Sequence, residues 1–566
     1  MENEAMNEKS LSGRKCVMLQ ICFLYCWLVN LVGTNLFYSV YALLGLAAAY
    51  ILLSDSGSGR AVTRKESIWI SIMAVCFSVA MILANYQLFG FSLNAAVSCR
   101  LGGSFLGGYI VGRTLLLRLL QKSSGGSQNR NSPAEVPPEK VFLGVACGAV
   151  LVHSLYLMTS AYPGEMSKDS ILTIRQIMTG SYNNIMPFWH TITVQLFLKL
   201  GMLIFGDINA GVALFHFAQI VFMAVCFSYA AMTLHQAGVP MKYVAMLGLV
   251  YVLAPYNIVY SVTMWKDVLF GGALLLITTA FFRILRRIGK NQLANYILLA
   301  VGAIGFSVWR TNGWYALAVT VVLFFLVAKK KEKAICWLLL AVLILCWILL
   351  NPVLAILGGN EMDFVETLAV PFQQISRYIA FDGWMDEYER EFLAEAFDLE
   401  KVKELYDPYV VDPVKYYAFR RDNMEYIREN LRGYLGLYVQ FGLRSPETYL
   451  EAWIEVTKGY WGGGFPDSMY ELGVRDNPFG IVQSGGGNQI SEIFTSYFNL
   501  FQWVLVFQPL CSIGLSVWVI IACCLVHILR KRNEFLLCIP HIVLAVGLWL
   551  GAPVVGEFRY GYPMIL

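Results

Sequence analysis

The apolar residues of this chain come in long unbroken runs, not in the alternating or one-faced stripes of soluble strands and helices. A spanning helix needs about 20 mainly apolar residues. Runs of that kind lie at 16–36, 38–54, 68–90, 100–119, 141–160, 208–233, 242–262, 268–283, 294–309, 313–328, 334–353, 508–529 and 535–553, predicting about thirteen spans. The first lacks a small-residue cleavage site and reads as a retained span. A stretch rich in Gly, Ser, Asn and Pro at 121–140 has linker composition. From 358 to 490 the apolar runs stop, and Met385–Leu405 and Lys415–Leu431 read as soluble helices. The fold class expected is an all-α polytopic membrane protein. Its parts would be a four-helix membrane unit (1–120), a cytoplasmic linker (121–140), a transmembrane core (141–357), an extracellular, mainly helical insert (358–490) and C-terminal spans (491–566). A further inward span is expected beyond Leu566.

The basic residues orient these spans. With an inside N-terminus, 23 Lys and Arg fall on the inner side, against seven on the outer side apart from the insert. This places the protein in the cell membrane as a multi-pass chain with a cytoplasmic N-terminus. The stretch 187–205 fits that count poorly as a span, because the next run must go inward to place Lys242 inside. It carries His190, Gln195 and Lys199, so a helix lying at or dipping into the outer interface is expected there. The net charge of +4 hides an acidic insert, −11 over 358–490, and a basic remainder of +15. Nucleic-acid binding is therefore not implied. None of the 13 cysteines lies within 358–490, so the insert is not disulfide-stapled. The six histidines show no metal-ligand spacing, and no metal site is expected.

Four carboxylates occur between Val141 and Lys331, namely Glu165, Asp169, Asp207 and Asp267, and the alternation of spans puts all of them at the outer face. Ionisable groups at membrane level are costly and point to function. Asp169, next to Lys168, is a solvated loop residue on the plain reading. Against a membrane surface it can instead serve as a general base toward an acceptor nucleophile, and partial desolvation is expected to raise its pKa. Trp265-Lys266-Asp267 reads as an interfacial belt with a snorkelling Lys, or as a phosphate-binding Lys beside a second carboxylate. In Trp309-Arg310-Thr311-Asn312-Gly313-Trp314, Arg310 can anchor the interface or bind phosphate bidentately, with Asn312 adding a donor and an acceptor. Glu557-Phe558-Arg559-Tyr560 repeats a cation among aromatics. Three cations on a face poor in them suit an anionic, lipid-linked substrate. His190 is either a satisfied structural histidine or a hydrogen-bonding contact to sugar or phosphate.

The succession of a span, an outer loop opening with Asp169, Gly180, a surface helix with His190 and Leu200, and then Phe205-Gly206 resembles the membrane glycosyltransferases of the C-type (GT-C) fold. Protein mannosyltransferases and the aminoarabinose transferase of lipid A belong to that superfamily. With its Trp-Lys-Asp, Arg-x-Asn-Gly and Glu-Phe-Arg-Tyr elements, the whole chain is similar to an uncharacterised group of multi-spanning Gram-positive proteins. The resemblance covers about 141–357 and weakly 491–566. It implies transfer of a sugar from a polyprenyl-phosphate donor to a cell-envelope acceptor on the extracytoplasmic side, with Asp169 as catalytic base. Lys266, Arg310 and Arg559 would hold the donor phosphate, while Lys168, His190, Asp267, Asn312, Glu557 and Tyr560 would complete the substrate site. The chain departs from the family in carrying Lys168-Asp169 where many members have adjacent acids. It also places Pro187 before His190, where a Pro often follows, and it lacks an Asp-x-Asp motif. No cofactor is expected beyond the lipid-linked donor, although a divalent metal stays open. Partners expected are membrane lipid, the donor and the acceptor. The rival readings are a flippase for lipid-linked precursors and a non-enzymatic envelope scaffold.

Overall fold

An apolar segment in lipid must satisfy its backbone within itself, which a helix does. Every regular element described here is a helix. The computed structural model describes residues 62–89, 95–122, 136–182, 186–329, 332–357, 364–464, 469–503 and 508–566. The expected spans 16–36 and 38–54, and most of the 121–140 linker, lie outside them. Among the described residues there is no strand, only isolated bridges. The chain is an all-α membrane protein in which seven described helices are long and apolar enough to cross a bilayer. They are Arg64–Ala84, Pro138–Ala161, Phe188–Phe205, Ile208–Gln236, Lys266–Arg286, Lys333–Ile356 and Asn533–Gly551. Gln292–Val308, Thr311–Val327 and Ile513–Leu529 are shorter apolar helices. Ala95–Lys122 covers the expected span 100–119 but is not among the seven.

One expectation needs correction. The run 242–262 is not one straight span, because Met241–Leu253 and Pro255–Ser261 meet at a 50° bend. Pro255 forces the preceding Ala254 into an extended conformation, φ −58° and ψ 126°. Carbonyls near the break are taken up by side chains, as backbone polarity at membrane depth requires. Asn257 donates to Val250 O at 3.2 Å, and Tyr497 donates to Leu253 O at 2.7 Å. His153 Nε2 lies 3.1 Å from Val252 O. Phe188–Phe205, expected to lie at or dip into the outer interface, is by length and composition also apolar and long enough to cross. Its Trp189 donates to Leu349 O at 3.1 Å and its Thr193 accepts from Trp309 at 3.3 Å. The beginning of this helix therefore lies against the C-terminal ends of two neighbouring apolar helices.

Basic residues meet at one end of the bundle. Arg283 donates to Asn295 Oδ1, Thr233 Oγ1 and Gln236 Oε1 at 3.0, 2.9 and 2.7 Å, and Arg286 pairs with Glu534 at 2.6 Å. Asp169, Asp267 and Glu165 gather at the opposite end. Helices of the 358–490 region close over a core of their own that includes Phe372, Tyr378, Phe397, Phe419 and Phe441. This helical unit is tied to the C-terminal segment by Val411 N–H to Pro553 O and Val555 N–H to Tyr409 O, both at 2.9 Å. The segment 469–488 leaves that unit and returns to the loop after the Pro138–Ala161 helix. There Met166 N–H donates to Gly473 O at 3.0 Å, and Ser484 N–H donates to Tyr162 O at 3.0 Å.

Candidate functional site

Three chain segments are stitched together before any charge enters the site. Gln219, one turn past His216 on the Ile208–Gln236 helix, holds the turn that follows the broken helix. Its amide nitrogen lies 3.0, 3.1 and 2.8 Å from the carbonyls of Tyr260, Ser261 and Thr263. Glu165 N–H donates to Val262 O at 2.8 Å. Ser170 Oγ donates to Met264 O at 3.1 Å, and Trp265 Nε1 donates to Ser167 Oγ at 2.6 Å. Helix Lys168–Thr179, which carries Asp169, is thereby fixed against the start of helix Lys266–Arg286, which carries Lys266 and Asp267. Gly164 is required at this junction. Its φ is +146°, and a Cβ there would sit 2.0 Å from the His216 ring.

The charges alternate. Arg559 Nη1 donates to Asp169 Oδ2 at 2.7 Å across 390 positions of sequence, and its Nε lies 3.5 Å from Glu557 Oε1. Arg310, which precedes helix Thr311–Val327, forms an ion pair with the buried Asp267. The Tyr560 ring lies between the two guanidiniums, each 5.0 Å from its centre. Arg559 also lies 5.3 Å from the Trp265 ring, a desolvated cation–π geometry. Lys266 is within Coulomb reach of both Asp169 and Asp267. A narrow recess between these groups is lined by Asp169, Met186, His190, Met264, Lys266 and Asp267. Both ring nitrogens of His190 are buried there without a hydrogen-bond partner among the described residues.

The arrangement corrects one electrostatic expectation. Burial alone would raise the Asp169 carboxyl, but Arg559, Lys266 and Lys168 outweigh it and hold its pKa below the ordinary value. Arg559 and Arg310 are likewise already paired with carboxylates, not waiting as unneutralised cations. Glu557 behaves in the opposite way, because burial raises it more than Arg559 lowers it. Of the residues singled out from sequence, Asp169, His190, Lys266, Asp267, Arg310, Glu557, Arg559 and Tyr560 are brought together. Lys168 and Asn312 are exposed at the edge of the group.

A family model of unknown function, DUF6020, matches residues 178–566. The chain belongs to the DUF6020 family. No curated protein and no solved structure matches it. The matched segment holds His190, Lys266, Asp267, Arg310 and Arg559 of the cluster, while Asp169 and Glu165 precede it.

Glu165 was missed as a site residue. It is buried, accepts from Tyr156 Oη at 2.7 Å and receives the Gly473 N–H. Burial raises its pKa, with Tyr156 and Gly473 opposing. As one of only four carboxylates between Val141 and Lys331 it carried the same signal as Asp169. Trp265 and Gln219 were not assigned to the site either. Their roles depend on partners about 100 and 40 positions away, which no local pattern encodes.

Proposed function

We propose that this DUF6020 chain is a GT-C-like membrane glycosyltransferase of about thirteen spans, with the Asp169 end of the bundle facing outward from the cell membrane. It would move a sugar from a polyprenyl-phosphate donor to a cell-envelope acceptor. The observation that carries this reading is Asp169 bound to Arg559 beside Lys266 and the Arg310–Asp267 pair, all at one end of the bundle.

In this reading the ion pairs describe the resting site, and the donor phosphate competes for the guanidiniums. Arg binds phosphate in the same bidentate fork it offers a carboxylate. When Arg559 turns to the phosphate, Asp169 loses the strongest of the cations that depress its pKa, and burial is then opposed by Lys266 and Lys168 alone. The carboxylate becomes a better base at the moment the donor arrives. The acceptor hydroxyl gives its proton to Asp169, and its oxygen forms a bond to the anomeric carbon. The bond from that carbon to the phosphate oxygen breaks, and its electron pair leaves on the lipid phosphate. Lys266, Arg310 and Arg559 stabilise the charge that develops there, the electrostatic part of catalysis.

The test is transfer of labelled sugar from a panel of polyprenyl-phosphate donors, with purified protein in bilayers and wild type beside Asp169→Asn. Transfer is expected with wild type and to fall by about 10²–10⁴-fold in the variant, with its melting temperature retained. Full transfer by a folded Asp169→Asn protein would sink the mechanism. Silence of a stable wild type across the panel would shift the weight to a flippase or scaffold.

A further inference from the structure

The helical unit carries one surface that its own core does not explain. Among the described residues of 364–464, the Leu, Ile, Val and Met side chains left strongly exposed are Leu435, Val439, Leu443 and Leu450, at 53, 55, 78 and 51%. All four lie on the hairpin of helices Leu431–Arg444 and Pro446–Thr457. Leu435, Val439 and Leu443 recur every fourth residue and so share one face of their helix. Leu437 and Phe441, on the opposite side, are buried in the core of the unit. A helix that is apolar on two opposite sides is built to be covered on both. The unit covers one.

Charge says what covers the other. Residues 358–490 carry a net charge of −11, yet no acid occurs from Leu431 to Pro446, and Glu429 and Glu447 lie just beyond those ends. Gln440 and Arg444 are engaged with Glu389. Arg432, exposed one turn before Leu435, is the charge on the side of the stripe. An apolar stripe with a basic and no acidic neighbour on its helix is the composition of a helix lying in a lipid headgroup layer. There an Arg keeps its apolar stem on the surface and its head among the phosphates.

The second helix of the hairpin brings this surface to the bilayer. Trp453 Nε1 donates to Trp549 O at 2.7 Å, and Gln87 Nε2 donates to Glu455 Oε1 at 2.6 Å. Pro446–Thr457 therefore meets the ends of the membrane helices Asn533–Gly551 and Arg64–Ala84. Leu450 lies one turn before Trp453 on the same side of its helix, and Leu550, next to Trp549, is 67% exposed on its own. The exposed apolar surface of the bundle thus runs on toward the hairpin. This is the end that holds Asp169, since Arg559 follows shortly after Trp549.

We propose that Leu435, Val439, Leu443 and Leu450 form a lipid-docking face that seats the helical unit on the bilayer leaflet at the Asp169 end of the bundle. This stands independently of the transferase reading.

Photocrosslinking tests it on the full chain in nanodiscs of phosphatidylethanolamine and phosphatidylglycerol. A benzophenone amino acid is placed at Val439 or Leu443 and, as controls on the same unit, at Tyr388 or Tyr417, which are 72 and 70% exposed. Phospholipid adducts, read by mass spectrometry, are expected at Val439 and Leu443 at about tenfold or more the level of the controls, as apolar burial favours lipid over water. In a Leu435→Asp/Leu443→Asp protein the probe at Val439 should lose most of its lipid adducts. The melting temperature should hold, because both side chains face away from the core.

No lipid adduct at Val439 or Leu443, in protein that melts as wild type, would overturn the proposal. So would equal adducts at all four positions, or a Val439 probe that still reaches lipid in the double Asp variant. Adducts confined to a second copy of the chain would also overturn it and make the stripe a contact between copies.

Discussion

The helical unit built around Phe372 and Phe441 and the cluster around Asp169 treat buried charge in opposite ways. In the helical unit Glu389 accepts from Arg444 Nη1 and Nη2 at 2.7 and 2.8 Å, from Gln440 at 2.9 Å and from the Asp386 N–H at 3.1 Å. Lys415 is held by both Glu366 and Asp412 at 2.7 Å. Each charge has several partners and the chain supplies all of them. In the cluster, Asp267 has one direct ion pair, to Arg310, and Asp169 one hydrogen bond, to Arg559, with Lys266 within Coulomb reach of both, and His190 has no hydrogen-bond partner among the described residues. Redundant partners are what a structural charge needs, since one lost contact leaves others in place. A site that must exchange its partners for a ligand cannot be built that way.

The comparison breaks first at Arg310. Asp267 is 1% exposed, and removing the partner of a buried carboxylate costs about 3–5 kcal/mol. Arg310→Ala should therefore lower the melting temperature of the bilayer-embedded protein substantially. Arg444→Ala should cost less, because Gln440 and the Asp386 N–H remain on Glu389. Equal losses from the two variants would mean that the charges at both places are equally redundant.

His190 sharpens the comparison in the other direction. Its unpaired nitrogens carry a desolvation cost, so His190→Leu should hold the melting temperature or raise it, by up to about 1–3 kcal/mol of stability. A helix interior accepts Leu well. A structural histidine would behave oppositely: His153→Leu removes a side-chain partner of Val252 O and one of the two partners of Ser261 Oγ, which keeps Asn257 O, and should destabilise. If His190→Leu were the more damaging of the two, His190 would be serving the fold.

Much of the membrane part was legible from sequence because bilayer thickness fixes helix length. The runs 208–233, 268–283, 294–309 and 313–328 each reappear as a helix within a few residues of the expected ends. The bend in the run 242–262 was not foreseen because hydropathy does not register geometry. Pro255 was visible, but whether a proline bends or ends a helix depends on side chains such as Asn257 and Tyr497 that take up the carbonyls near the break. The site was legible as composition, since scarce charges at one face stood out. It was not legible as pairing. Arg559 and Asp169 are 390 residues apart, and without knowing that they meet, burial alone suggested the wrong sign for the Asp169 pKa. The return of 469–488 to Glu165 and Tyr162 was invisible for the same reason, because backbone hydrogen bonds leave no mark in side-chain identity.

Glu165 provides the finest test, since it lies between the two regimes. It is buried like Asp267 but has only neutral partners, the Tyr156 hydroxyl and the Gly473 N–H. Burial is the larger effect and its folded pKa stands above the ordinary value of 4.5. A raised folded pKa means that the folded state binds the proton more tightly than the unfolded chain. The resulting stabilisation is complete below the unfolded value and is lost as pH rises through the folded one. Asp169 has the opposite sign, its contribution being present above its unfolded pKa and lost as pH falls through the depressed folded value. Taking the difference between Glu165→Gln and wild type removes Asp169 and Glu557 from the comparison, since both proteins contain them. Gln does not titrate, so Glu165→Gln should gain melting temperature relative to wild type between pH 4 and pH 8, starting from no gain at pH 4. A difference that stays flat or falls with pH would show that Tyr156 and Gly473 stabilise the ionised carboxylate as fully as the redundant partners of Glu389 do. The segment 469–488 would then belong with the structural charges of the helical unit.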